Sequence, residues 1–342
     1  MGAGNRLYSM PRDKRKHARK RRDVASRTLS YDPKKRTAAA AIDRQSAAKN
    51  IASGHLVWLD ITGLTDSDLA YLTDTFELTP LMVRELTAER ALPKLVTDAS
   101  VSFLNWYSLG KAGAGAPIRF TCLFGPGFLV TVHSDSAEAL EQVWQDAQTQ
   151  PDIMGQGLGV LLYNVMDAAV DDYFLAVDAL SDQVDRIEDV MFDRPKPSDV
   201  KDIFKMKRQM LELRKVTAPE REVVNSLLRR SLPYLEKDSR AYFEDLYDHM
   251  VRVIDLIDTL RDVTSGAMQI YQATISNNLN AIMKQLTIIA TIMMPLTLIS
   301  GIFGMNLGFP GKEGALGFWI VMVVMLGIGV AMLIWFRKRE WI

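Results

Sequence analysis

Apolar and polar positions change rhythm three times along this chain. Residues 55–61, 101–109, 118–124 and 127–133 alternate or run apolar over short stretches, as strands do, with glycine-rich turns such as 110–117 and Gly125-Pro126-Gly127 between them. Residues 67–72 and 79–89 read as short helices among these strands. From residue 158 the spacing becomes helical. One helix is expected over 158–189, closed by Pro195-Lys196-Pro197, and a second over 198–228, broken or kinked at Pro219. A third begins near Glu236 and meets no proline until Pro295; unbroken to Phe303, it is roughly 100 Å long at about 1.5 Å per residue.

The last change is the most informative. No charged residue stands between Lys284 and Lys312, nor between Glu313 and Arg337. Residues 286–305 and 315–336 each supply about the 20 apolar positions that a helix needs to cross a bilayer core. Only residues 306–314 separate them, so the chain reads as a large soluble body ending in a membrane hairpin. Arg337, Lys338 and Arg339 follow the second span, which by the positive-inside rule puts both termini in the cytoplasm.

Charge then divides the 342 residues further. The first 50 hold 15 Lys/Arg against 4 Asp, so the rest of this formally neutral chain is acidic by 11. Clustered like charge with few apolar residues over 12–36 predicts a disordered basic tail close to anionic lipid, and without interleaved aromatics no nucleic-acid binding is expected. The single cysteine, Cys122, excludes a disulfide framework within one chain and reads as a small buried apolar residue. The four histidines lie far apart, no catalytic motif is present, and Gly155-Gln156-Gly157-Leu158-Gly159 lacks the strand–loop–helix context of a phosphate loop. An enzyme is not expected, and no cofactor is required.

A long helix feeding a span that ends in Gly304-Met305-Asn306, then a short loop and a second span closing on Arg-Lys-Arg, resembles the CorA family of divalent-cation transporters. The resemblance covers residues 51–342 and is most specific over 280–306, where Met283-Lys284, residues 286–292, Met294-Pro295-Leu296-Thr297 and Gly304-Met305-Asn306 suit the family pattern. Two positions depart from it. Phe303 stands where the family usually has Tyr. The loop Leu307-Gly308-Phe309-Pro310-Gly311-Lys312-Glu313 replaces an acidic Met-Pro-Glu-Leu and is closer to the glycine-rich loop of the ZntB zinc branch.

The resemblance implies a funnel-shaped homopentamer in the cell's inner membrane, with an α+β cytosolic domain, a long stalk helix and two C-terminal transmembrane helices. Expected boundaries are 1–50 for the tail, 51–155 for the α/β domain, 156–235 for a helical hairpin, 236–305 for the stalk and first span, 306–314 for the outer loop and 315–342 for the second span. The partners implied are other copies of the chain, lipid and divalent cations. Mg2+ would be both transported and regulatory ion, with Co2+, Ni2+ or Zn2+ as alternatives and a ZntB-like, proton-coupled zinc route as the rival reading. A non-conducting membrane-anchored metal sensor is the third.

Asn280, Met283, Thr287, Ala290, Met294, Thr297 and Gly301 step by threes and fours along one helix face. Polar rings (Asn280, Thr287, Thr297) would alternate there with apolar ones (Met283, Met294), as in a wetted path with dewetting constrictions. The plainer alternative is that each Thr bonds back to a carbonyl one turn earlier and each Met fills space. Gly304, Met305 and Asn306 would form the mouth, where neutral carboxamide oxygens accept hydrogen bonds from the tightly held water shell of Mg2+ without stripping it. By resemblance, Glu85 opposes the acidic stalk segment containing Asp245 and Asp248 across a subunit boundary and holds a regulatory cation there. Asp167, Asp171, Asp178, Asp182, Asp185 and Asp189 read as a solvated helix face.

Overall fold

The computed structural model describes residues 25–40, 44–88, 91–98, 100–110, 117–135, 137–193, 195–305, 315–339 and 341. Seven strands, β1 (Ala25–Asp32), β2 (Thr37–Ala40), β3 (Leu56–Thr62), β4 (Lys94–Thr97), β5 (Ser102–Leu109), β6 (Pro117–Gly125) and β7 (Phe128–His133), form one sheet. Their order is β2-β1-β3-β7-β6-β5-β4. Every neighbouring pair is antiparallel except β3 and β7.

Register explains both faces. Leu59 pairs with Val130, Val130 with Leu123 and Leu123 with Phe103, an apolar row across four strands. The helices α2 (Asp66–Phe76) and α3 (Pro80–Thr87) cover this row with Leu72, Phe76, Met82 and Leu86. Thr65 caps α2 by accepting from the Asp68 amide, Asp68 answers the Thr65 amide, and Thr79 with Pro80 starts α3. One residue along, the row is Arg27, Asp60, Thr131, Cys122 and Leu104, facing the opposite side. Cys122 is buried there, as its composition predicts, and burial pushes its thiol pKa up.

Strands β1 and β2 and the helix α1 (Arg44–Ala52) correct the expectation of a disordered tail through residue 50. From residue 25 the basic character gives way to Thr28-Leu29-Ser30-Tyr31, all buried against β3. Arg27, counted as tail charge, is paired to Asp60 at 2.9 Å and Glu141 at 2.7 Å. The 1–24 part of that expectation lies outside the described residues. Strand β4 and the helix α4 (Glu138–Thr149) are further elements that the alternation did not reveal.

After α4 comes one turn, α5 (Asp152–Gly155), and then α6 (Leu158–Asp193), α7 (Pro197–Arg229), α8 (Ser239–Gly304) and α9 (Ala315–Lys338). The helix α7 runs through Pro219 instead of ending there. Next to that proline, Glu220 is fully buried and accepts a hydrogen bond from the Tyr107 amide at 2.8 Å, beyond the end of β4. Tyr173 of α6 donates to the Tyr107 carbonyl at 2.9 Å. Two helices thus satisfy the open edge of β5 where no strand reaches it. Arg214 and Asp258 join α7 to α8 through two contacts, at 2.8 and 3.1 Å.

The glycine run at 155–159 has a structural reason. Glu236 accepts from the amides of Leu158 and Gly159 at 3.0 and 2.8 Å and so caps the N-terminus of α6. Gly157 has φ +106, and a Cβ there would run into the Glu236 carboxylate. The chain divides into two compact units: residues up to Ile187 with Ser198–Ser265, and Glu188–Pro197 with Gly266–Ile342. The helix α8 contributes to both.

Candidate functional site

Residues Asn280 to Gly301 sit on one continuous helix, so the predicted face is real as geometry. At about 100° per residue, its seven positions fall within an arc of about 100°. Asn280, Met283, Thr287, Ala290, Met294, Thr297 and Gly301 are all exposed, with Met294 at 73%. The Thr287 hydroxyl donates to the Met283 carbonyl at 2.8 Å, and Thr291 to the Thr287 carbonyl at 2.7 Å. The plainer reading of Thr287 therefore holds for its proton, while its oxygen lone pairs remain free to accept from water. Pro295 has no N–H to give the Thr291 carbonyl, so that oxygen lacks its helical partner.

Gly304 ends α8, and Met305 follows at 49% exposure with its amide turned to the Ile302 carbonyl. Asn306 and the loop 307–314 lie outside the described residues. Both apolar helices pass the length and hydropathy test for a membrane span, and only 6% of the α8 window and none of the α9 window is buried. Gly301, Gly304, Gly327 and Gly329 have open space where a side chain would be. In α9, Phe318 and Trp319 stand near one end and Trp335 and Phe336 near the other, with Arg339 over the Trp335 ring at 5.7 Å. Aromatic residues at both ends and basic ones at the last turn suit the two interfaces of a bilayer.

The carboxylates of the sheet-bearing unit are differently placed. Glu85 on α3 pairs with Lys94 of β4 at 2.6 Å and with Arg84 at 3.6 Å, and its side chain is 13% exposed. The Lys94 hydrogen bond holds its pKa below the usual value. Asp245 accepts from the Tyr163 hydroxyl at 3.1 Å, and Asp248 is exposed. The structure thus gives Glu85 a lysine partner in its own chain. Among the described residues no group of three or more His, Cys, Asp or Glu side chains is arranged to hold a metal ion within one chain.

Two residues that the sequence left aside, His249 and Tyr163, belong to this neighbourhood and draw in Asp167, which reads from the sequence as part of a solvated face. His249 bridges Asp167 of α6 at 3.1 Å and Asp245 of its own helix at 3.8 Å. Tyr163 has its pKa raised, first by burial and then by Asp167. The only sequence signal was the i,i+4 spacing of Asp245 and His249. Asp178, Asp182, Asp185 and Asp189 are exposed, as a solvated face requires.

A second polar cluster lies within the sheet. Asp60, 1% exposed, accepts from Thr131 at 2.5 Å, from Arg27 at 2.9 Å and from His133 at 3.0 Å. The other His133 nitrogen faces the Asp135 carbonyl at 2.7 Å. Both ring nitrogens meet acceptors, so the imidazolium form fits. Burial pulls the His133 pKa down, but the bond and charge of Asp60 outweigh it and raise it. Burial likewise works against ionised Asp60, and His133, Thr131 and Arg27 together keep its pKa low. This network ties β1, β3, β7 and α4.

The comparisons with known proteins agree with the helices. The family model described as CorA-like Mg2+ transporter protein matches residues 53–338. The cobalt/magnesium transport protein CorA of Thermotoga maritima is 32% identical over 297 residues, 83% of each chain. The zinc transport protein ZntB of Photorhabdus laumondii is more distant, at 22% identity over 83% of this chain and 88% of its own. The complete structure of the CorA magnesium transporter from Methanocaldococcus jannaschii shares the fold, with a TM-score of 0.78, 23% identity and coverage of 93% of this chain and 99% of that one. With a matching family model over most of its length, and a 32% identical relative across 83% of both sequences, the chain belongs to the CorA-like Mg2+ transporter family.

Proposed function

We propose that several copies of this chain, five by family resemblance, assemble around the α8 face of Asn280, Met283, Thr287, Met294 and Thr297 and pass Mg2+, with Co2+ as a competing cargo, into the cytoplasm. The observation that carries this reading is the near-complete exposure of two apolar helices, one with a polar seam, in a chain whose other unit is well packed. Two helices cannot enclose a water-filled path, so the seam needs other copies. Gly304, Met305 and Asn306 form the outer mouth. Basic residues in the last turn of α9 hold both termini in the cytoplasm.

An inside-negative potential of about 100 mV is worth about 4.6 kcal/mol for a divalent ion, enough for about a thousandfold gradient. No nucleotide chemistry is then required. Control comes from carboxylates at subunit boundaries: a divalent ion held between Glu85 of one copy and Asp245 or Asp248 of the next stabilises the closed state, and its loss opens the path. Glu85 must leave Lys94 to do so, which makes the site weaker than one built from free carboxylates.

The test is ion entry into proteoliposomes of purified protein, comparing Mg2+ with Zn2+, with and without a pH gradient. Entry of Mg2+ driven by potential alone supports the proposal. The loop at 307–313 favours a second reading, the zinc route, and entry of Zn2+ only under a proton gradient would establish it. No entry of either ion would favour a sensor.

A further inference from the structure

The turn between α7 and α8 forms a cavity of about 360 Å3, within the range of small-ligand sites. Arg229, Arg230, Lys237 and Arg240 line it. Arg240 pairs with Glu244 at 3.0 Å, while Arg229, Arg230 and Lys237 make no ion pair among the described residues. Glu236 is the one carboxylate in the lining, and both of its oxygens are taken by the α6 amides. Behind the cations lie Leu232, Leu235 and Phe243, of which Leu232 and Phe243 are buried. An apolar wall with a cationic rim and no free carboxylate is complementary to one kind of small molecule, an apolar or flat body carrying concentrated negative charge.

We propose that this cavity binds a phosphate ester with an apolar body, in its metal-free form. Phosphoryl oxygens engage Arg229, Arg230 and Lys237 at the rim, and the body lies along Leu235 and Phe243. Two sources share this chemistry, a soluble nucleoside polyphosphate and a phospholipid headgroup with the start of its chains. A magnesium-complexed phosphate fits worse. Complexation removes two of the negative charges that the rim would engage and sets a divalent cation beside Arg229, Arg230 and Lys237, none of which can ligate it. Binding here and cation passage through α8 are separate claims, because binding is measured at equilibrium without any ion gradient.

The experiment is equilibrium binding to the full-length protein in detergent by calorimetry, with ATP in excess chelator in one arm and dioctanoyl phosphatidic acid in the other. Each is repeated with the exposed double variant Arg230→Gln/Lys237→Gln, whose melting temperature should match the wild type. Submillimolar binding of either probe that weakens at least about tenfold in the double variant supports the site and identifies its source. For ATP, excess Mg2+ should weaken binding in the same direction. Failure of both probes to bind below about 1 mM, or binding that the double variant leaves unchanged, overturns the proposal.

Discussion

Asp60 and Met294 show how differently the two units of this chain are finished. Asp60 is a buried charge with three partners, Thr131, His133 and Arg27, all within 3.0 Å and all from the same chain. Met294 is an apolar side chain, 73% exposed, on a helix whose apolar window is only 6% buried. In the sheet-bearing unit this costly buried charge is satisfied internally; along the membrane helices most side chains are left exposed. A single copy is therefore a finished fold in one unit and an unfinished surface in the other. Substitutions should separate accordingly into those that unfold the protein and those that alter transport.

The largest effect is expected from Asp60→Ala. It leaves the buried His133 imidazolium without its carboxylate and Arg27 with Glu141 alone, which costs about 3–5 kcal/mol. Chemical denaturation followed through Trp58, whose indole donates to Thr131 beside Asp60, would read it. Ion entry per folded molecule should not change. Conversely, Asn306→Ala should leave the denaturation midpoint in place and change Mg2+ entry about tenfold, the loss of about 1.4 kcal/mol in hydrogen bonding to the hydrated ion. Should Asn306→Ala unfold the protein, or Asp60→Ala abolish entry without unfolding it, the division between units would fail.

Glu220→Gln sharpens the comparison within the packed unit. Burial raises the Glu220 pKa well above its ordinary 4.5, so the folded protein keeps a proton there that the unfolded chain gives up. Stability from this group therefore falls as pH rises above about 4.5, towards the raised folded value. Asp172, pushed up to about 6 by burial, acts with the same sign between its ordinary 3.8 and that value. The variant keeps an acceptor for the Tyr107 amide and cannot ionise. Its melting temperature should fall less than the wild type's between pH 5 and pH 8. Equal slopes would mean that Glu220 is ionised in the fold.

The smallest effect is expected where solvent reaches the pair. Arg214 and Asp258 are about 42% and 30% exposed, and Arg214→Gln should cost only about 0.5–1 kcal/mol. A loss as large as that of Asp60→Ala would show that the link between α7 and α8 is far more central to folding than its exposure indicates.

What the sequence disclosed follows the range of the interactions involved. Two charge-free runs and the stepping of residues 280–301 are local patterns, and both helices appear where those patterns put them. The central strands were equally readable from alternation. Strand β1 was not, because the lysines and arginines before it dominate the window while its partners, Asp60 on β3 and Glu141 on α4, lie 33 and 114 residues away. The helix α7 survives Pro219 for the same kind of reason: Thr217, Glu220 and Val223 are buried around it, and that packing outweighs one missing hydrogen bond. The glycines at 157 and 159 made sense only once Glu236, nearly 80 residues later, was seen on their amides. At the candidate site, Asp245 and Asp248 were named from a local acidic segment, whereas Asp167, joined to Asp245 through His249, was assigned to a solvated face.

In the proposed assembly one face of α8, shared among copies, lines an ion path. The most direct measurement is block of Mg2+ entry by a charged thiol reagent, using single cysteines in a Cys122→Ala background. Thr287→Cys, Met294→Cys and Thr297→Cys should be blocked, whereas Ile282→Cys and Ile289→Cys, on the other side of the helix, should not. Block at the isoleucine positions with protection of the threonine face, or equal block at both, would contradict it.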